Sequence, residues 1–227
     1  MPTRAEVVAH GVASWLQFEV LCQRKELLSE ASLSQPLGQL LVASGCVAVS
    51  PEEPHPVLPE ARIDFVVKGT GGVITLAVET KWINGNRDMK QEILDDLVRL
   101  ELVHTRNKPT GRWFLIAGEQ HHLDAKVFNA AFNVGGGGGR VVFGSGVLPY
   151  ATGAALSVDI DNSQAPWREA WKKTPTAPVV ASAVPEWPSG LKTTLLAKYP
   201  PKPGPTDVAC MIWHLGRMQN RRSTRLL

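Results

Sequence analysis

The feature that most constrains the fold is a pair of apolar, β-branched segments joined by a glycine-rich turn. The segments are residues 62–67 and 73–82, and the five residues between them include three glycines. Short apolar runs bounded by glycine are typical of strands, so we predict an antiparallel hairpin. Two strands alone are only marginally stable in water. The rest of the chain must therefore supply further strands and covering helices.

The spacing of apolar residues predicts those further elements. We predict helices at 5–30, 37–43, 87–104 and 123–134, and strands at 46–49, 112–118 and 141–143. This order describes an α/β fold: a three-layer αβββαβ core in which helices flank a mixed sheet. No glycine fingerprint joins the first strand to a helix, so a dinucleotide-binding unit is not predicted.

The chain becomes rich in proline after residue 148. Ten of the 17 prolines fall between residues 149 and 205. We therefore predict a core domain at 1–148 and a loop-rich, proline-rich extension at 149–227 that wraps it. The extension is predicted to close with a helix at 207–218 and a basic tail. In that tail, Arg221 and Arg222 either follow a phosphate backbone or stay solvated.

Composition limits the class of protein. With 44% hydrophobic and 20% charged residues over 227 positions, the chain can fill a core and is not disordered throughout. No run approaches the roughly 18 apolar residues that would span a bilayer. The three cysteines form no CxxC pair, and a net charge of +3 does not by itself indicate a nucleic-acid partner. We expect a soluble, cytoplasmic chain.

Charged residues interrupt the predicted hairpin at three positions. Asp64 lies in the middle of its first strand, and Glu79 and Lys81 lie at the end of the second. Side chains alternate along a strand, so Glu79 and Lys81 share one face, and strand pairing can bring Asp64 to it. Two carboxylates and an ammonium suit phosphodiester hydrolysis with a divalent cation. An ordinary solvated hairpin face is the alternative.

The segments Arg62-Ile63-Asp64 and Glu79-Thr80-Lys81 resemble the motif of the PD-(D/E)xK nucleases, the restriction-endonuclease-like superfamily. The resemblance extends over about residues 7–118, with Ile63 where the family often has proline. Such a pattern arises by chance about once in a chain of this length, so the strand context carries the argument.

The resemblance implies a function and a set of roles. Asp64, Glu79 and the carbonyl group of Thr80 would bind Mg²⁺, or Mn²⁺ in its place, and Lys81 would position or activate the attacking water. The substrate would be nucleic acid, DNA rather than RNA, and the activity would suit defence against foreign DNA. Cleavage of both strands would favour a homodimer.

Three further residues are candidates for this site. Glu19 lies on the same side of the first predicted helix as Val8 and Val12. The resemblance implies that this acid completes the catalytic set, and pairing with Gln23 or Arg24 is an equally supported alternative. Lys90 and Gln91 open the next helix, where they either reach phosphate or form a solvated first turn.

Other charged residues are predicted to lie at the surface. These are Asp95, Asp96 and Arg99 in the helix after the hairpin, and His121 and His122, which lack a third metal ligand at suitable spacing. A catalytically inactive nucleic-acid-binding or assembly module on the same fold remains the alternative function. A partner protein that binds through its proline-rich half is a third.

Overall fold

The structure of the chain is a computed structural model, which describes residues 1–58, 60–85, 89–107, 111–129, 131–133, 140–142, 147–159, 187–188, 190–216 and 221–222. The helices are α1 (Arg4–Leu21), α2 (Glu30–Ala43), α3 (Lys90–Asn107) and α4 (Gln120–Leu123). The strands are β1 (Ala48–Pro54), β2 (Arg62–Lys68), β3 (Ile74–Ile83), β4 (Gly111–Glu119), β5 (Ala131–Asn133), β6 (Arg140–Val142), β7 (Ala155–Asp159), β8 (Trp187–Pro188), β9 (Gly190–Tyr199), β10 (Val208–Gly216) and β11 (Arg221–Arg222).

Seven of these strands form one mixed sheet in the order β1-β2-β3-β4-β10-β9-β7. The β3–β4 pair is parallel and joined through α3, whereas the other neighbouring pairs are antiparallel. The predicted α/β class is confirmed, and the order of elements up to β4 matches αβββαβ with two helices at its start. The parallel connection brings the carboxyl ends of β3 and β4 to the same edge of the sheet.

Each face of the sheet has its own apolar core. Helices α1 and α2 pack on one face, where Phe65 and Val78 are buried. Helix α3 packs on the other face, over Val66 and Ala77. The two sets alternate along β2 and β3 as a pleated strand requires. By the same alternation, Glu79 points to the α3 face.

The C-terminal region departs most from the prediction. The expected helix at 207–218 is wrong, because Val208–Gly216 forms strand β10 between β4 and β9. A short, continuously apolar run fits a buried strand as well as a buried helix, and only the neighbouring strands decide between them. The region after residue 148 therefore contributes β7, β9 and β10 to the main sheet instead of only wrapping it.

Other expectations change at element ends. The first helix stops at Leu21 instead of continuing to residue 30, and the second begins at Glu30 instead of residue 37. The helix expected at 123–134 is replaced by α4, one wide helical turn, Asp124–Phe128, and the short strand β5. Arg221 and Arg222 form β11, which pairs with β8, but their side chains and the rest of the basic tail lie outside the described residues. None of the helices in the described ranges has the length and apolar character needed to cross a bilayer.

Candidate active site

The site begins where the β2–β3 pair opens. Backbone pairing runs from Lys68 and Ile74 to Phe65 and Val78. Beyond that point the Asp64 carboxylate accepts hydrogen bonds from the backbone N–H and the hydroxyl group of Thr80, each 2.7 Å long. An acidic side chain thus replaces a backbone partner, which holds Asp64 beside the Glu79-Thr80-Lys81 segment.

Glu79 is the most enclosed carboxylate of the site, at 1% exposure. Its Oε2 accepts a hydrogen bond of 3.2 Å from Nη2 of Arg99, and its Oε1 is buried without a hydrogen-bond partner. Burial raises the pKa of Glu79 well above its usual value, and the nearby charges of Asp96 and Asp64 raise it further. Buried carboxylates of this kind are normally paired or bound to metal.

Lys81 is held between two acids. Its Nζ lies 3.0 Å from Oδ2 of Asp96 and 3.1 Å from Oε1 of Glu30. Burial alone would lower the pKa of Lys81, but the charges of Asp96 and Glu30 raise it overall. The side chain therefore stays a cation at any physiological pH.

Helix α3 supplies residues that the sequence pattern placed at the surface. Asp95 and Asp96 are buried, and Arg99 donates a hydrogen bond to Asp96 and lies 3.9 Å from Asp95. Burial raises the pKa of Asp96 to about 7, against the lowering effect of Lys81 and Arg99. The prediction of solvent-facing side chains is wrong. Asp96 lies three residues after Ile93, which was the available signal that it borders the apolar stripe.

Glu19 does not take part in this arrangement. Its carboxylate accepts hydrogen bonds of 2.6 and 2.9 Å from Arg24, at the exposed end of α1. This corrects the expectation that Glu19 completes the catalytic set and confirms the alternative pairing with Arg24. The helix-borne acid is instead Glu30, the first residue of α2. An acid in a first helical turn is common for electrostatic reasons, so the sequence did not single it out.

Three further residues of the predicted site lie at the start of α3 and in β3. Lys90 begins α3 and is half-buried, and Gln91 beside it is exposed. Their contact with phosphate stays a prediction. Thr80 is buried next to Asp64, with its N–H and hydroxyl group bonded to that carboxylate.

The histidine His55 ties the β1–β2 connection to α3 at Arg99. Its Nε2 donates to the Arg99 carbonyl oxygen over 2.9 Å, and its Nδ1 accepts from the N–H groups of Val57 and Leu58. Protonation of Nδ1 would break both of the latter bonds. Burial accordingly lowers the pKa of His55 to about 4.

We expect His55 to make the fold sensitive to acid. Between pH 6.5 and 4, the unfolded histidine binds a proton that the folded one excludes, so the free energy of unfolding falls as the pH falls, by up to about 3 kcal/mol. Urea unfolding of wild type and His55→Gln at pH 7 and pH 5 measures this. The wild type should lose more stability than the variant, and equal losses would contradict the assignment.

The site contains more acidic groups than basic ones. Five carboxyl groups face the two cations Lys81 and Arg99; the five belong to Glu30, Asp64, Glu79, Asp95 and Asp96. The raised pKa values of Glu30, Glu79 and Asp96 reflect this imbalance together with burial. A divalent cation would relieve it.

The donor set fits a hard cation such as Mg²⁺. Carboxylate oxygens are the ligands that Mg²⁺ prefers, and Glu79 offers a buried oxygen that nothing else bonds. Ligand atoms of Asp64, Glu79 and Asp96, all described residues, do not form a group within 4.8 Å. Binding would therefore draw these side chains closer together.

Comparison of the chain with protein-family models, with curated proteins and with solved structures finds no match. The functional assignment therefore depends on the residues and their arrangement.

Proposed function

We propose that the chain is a metal-dependent nuclease that hydrolyses phosphodiester bonds, with DNA as its substrate. The observation that carries this proposal is the opening of the β2–β3 pair at Asp64, beside Glu79 and Lys81. The choice of DNA, and a role in defence against foreign DNA, come from the resemblance to the PD-(D/E)xK nucleases.

Asp64, Glu79 and the carbonyl group of Thr80 would hold Mg²⁺ or Mn²⁺. When bound, the ion would stabilise charge on the phosphoryl group and lower the pKa of water at the site. The protein's own contribution is to keep two acids of adjacent strands in a partly water-free setting, where their charge acts strongly on a cation.

Lys81 would act as a fixed cation rather than as a base. Its raised pKa keeps the ammonium protonated, and Asp96 and Glu30 limit its movement. Such a group can donate hydrogen bonds to the attacking water and to the charge that develops on phosphate. Arg99 and Asp96 would keep Glu79 and Lys81 in place.

One observation favours the alternative, a catalytically inactive binding or assembly module. Arg99 and Lys81 already form ion pairs with Glu79 and Asp96, so a structural network could account for these buried charges. In that case substitutions of Asp64, Glu79 and Lys81 would alter stability or partner binding, and no cleavage would be seen.

The proposal is tested by incubating the wild-type protein with supercoiled plasmid, linear duplex DNA and single-stranded RNA. We expect nicked or linear plasmid in Mg²⁺ or Mn²⁺ and none in EDTA. Cleavage of RNA alone would overturn the substrate class. Intact nucleic acid with every divalent ion tested would overturn the nuclease assignment in favour of the inactive module.

Glu30 and Glu19 provide a matched pair of substitutions that tests whether α2 contributes to the site. Glu30→Gln removes an acid that holds Lys81 and should slow cleavage by roughly tenfold, as the loss of a supporting residue does elsewhere. Glu19→Gln, which affects only the surface pair with Arg24, should cleave like wild type. Initial rates at saturating Mg²⁺ measure both. A slower Glu19→Gln with an unaffected Glu30→Gln would reverse our assignment.

A further inference from the structure

A second group of metal-ligating side chains lies at the end of β4. Among the described residues, Glu119, His121 and His122 alone place three ligand atoms within 4.8 Å of one another. The two Nε2 atoms lie 3.6 and 3.7 Å from Oε2 of Glu119. The expectation that these histidines lack a third ligand is therefore wrong: the strand ends just before them and brings Glu119 to the same side.

The histidine rings are oriented by backbone groups. Nδ1 of His121 lies 2.9 Å from the carbonyl oxygen of Pro205, to which it donates, so Nε2 keeps its lone pair toward Glu119. Backbone hydrogen bonds to Pro205 and Asp207 fix the start of α4. Metal-ligating histidines are typically oriented by a backbone carbonyl group in this way.

His122 is seated against Gly85. A β-carbon at Gly85 would lie 2.4 Å from Nδ1 of His122, and the backbone there has a φ of +79°, so only glycine suits this position.

The spacing suits a tetrahedral ion. Zinc bonds of about 2.0–2.2 Å to histidine nitrogen and carboxylate oxygen place neighbouring ligand atoms about 3.3 Å apart. The observed separations of 3.6 and 3.7 Å need only a small contraction. Two histidines and one carboxylate leave a fourth position for water or another ligand. Glu119 and His122 also line a cavity of about 290 Å³, which could receive it.

The ammonium group of Lys25 occupies the position beside Glu119 where a metal ion would bind. Its Nζ lies 2.8 Å from Oε1 and 3.0 Å from Oε2 of Glu119. The lysine side chain is 47% exposed, so it can move into solvent when another cation binds. We propose that Glu119, His121 and His122 bind a transition-metal ion such as Zn²⁺, which displaces the Lys25 ammonium group. The site shares no residue with the proposed nuclease centre and stands independently of that function.

The experiment is a titration of the full, tag-free chain with Zn²⁺ against a chromogenic chelator, in a Cys22→Ser background that removes the exposed thiol. We expect one equivalent to bind. His121→Ala and His122→Ala should each weaken binding by at least roughly 100-fold, because each removes a ligand, and the loss of a residue that only supports a ligand already costs up to about that much. Lys25→Ala should tighten binding, since it removes a competing cation. His10→Ala, an exposed histidine stacked on Tyr199, is the matched control and should bind like the parent.

Two results would overturn the proposal. One is the absence of stoichiometric Zn²⁺ binding by the parent chain, and the other is unchanged binding in the double variant of His121 and His122. Thermal melting without metal shows whether each variant is folded. Since the readout is metal affinity alone, neither result bears on nucleic-acid cleavage.

Discussion

Replacing Lys81 with methionine is expected to reduce cleavage on the order of 100-fold or more while divalent-metal binding is kept. Methionine preserves the buried aliphatic stem and removes only the ammonium group between Asp96 and Glu30. The lost charge acts on the attacking water and the transition state. Removal of a cation should leave metal affinity unchanged or higher. Single-turnover rates and Mn²⁺ titration measure the two effects separately.

The carboxylate variants should also lose cleavage, but they should differ from Lys81→Met in metal binding. Asp64→Ala and Glu79→Ala remove metal ligands, so both should bind Mn²⁺ more weakly and lose most of the cleavage. Their affinity for DNA without metal should be unchanged or somewhat higher, because each deletes a negative charge near the phosphates. If Lys81→Met lost metal binding as fully as these variants, the division of roles would be wrong.

Replacing Arg99 with methionine is expected to destabilise the fold by about 3 kcal/mol at pH 8. The variant leaves Glu79 and Asp96 buried without the guanidinium that pairs with both. Their pKa values are already raised, so loss of Arg99 should let them bind protons in the folded state. The folded chain then binds more protons than the unfolded one, and the loss of stability should shrink as the pH falls from 8 to 5.

Urea unfolding at both pH values measures this effect. Arg24→Met is the matched control: its guanidinium also pairs with a glutamate, Glu19, but at the surface, so little change in stability is expected. If the two variants lost equal stability, or if the stability loss of Arg99→Met grew toward pH 5, the conclusion that Arg99→Met leaves Glu79 and Asp96 buried and unpaired would be wrong.

The hairpin and its acids could be predicted because the signals are local. Alternation along β3 places Glu79 and Lys81 on one face, and a glycine-rich turn pairs this strand with β2. The apolar run of β4 and the stripe on α3 are similarly local. These patterns placed Asp64 next to the Glu79-Thr80-Lys81 segment without reference to the rest of the chain.

The rest depends on contacts distant in sequence. Lys81 meets Glu30 across 51 positions, and no local pattern reports such a contact. Asp96 and Arg99 look like a solvated helix face until α3 is placed over the open end of β2 and β3. The apolar run of β10 fits a buried helix as well as a buried strand, and its place between β4 and β9 makes it a strand.

The central claim is that this acidic site cleaves nucleic acid, and one paired measurement tests it most directly. Wild type and Glu79→Gln, purified in parallel, are mixed in excess with labelled supercoiled plasmid and started with Mg²⁺. Glutamine keeps the shape of the buried glutamic acid and removes a metal ligand, so the fold should be retained. We predict that wild type converts the plasmid and that Glu79→Gln does so on the order of 100-fold more slowly. Equal rates for the two proteins, or no conversion by wild type, would contradict the claim.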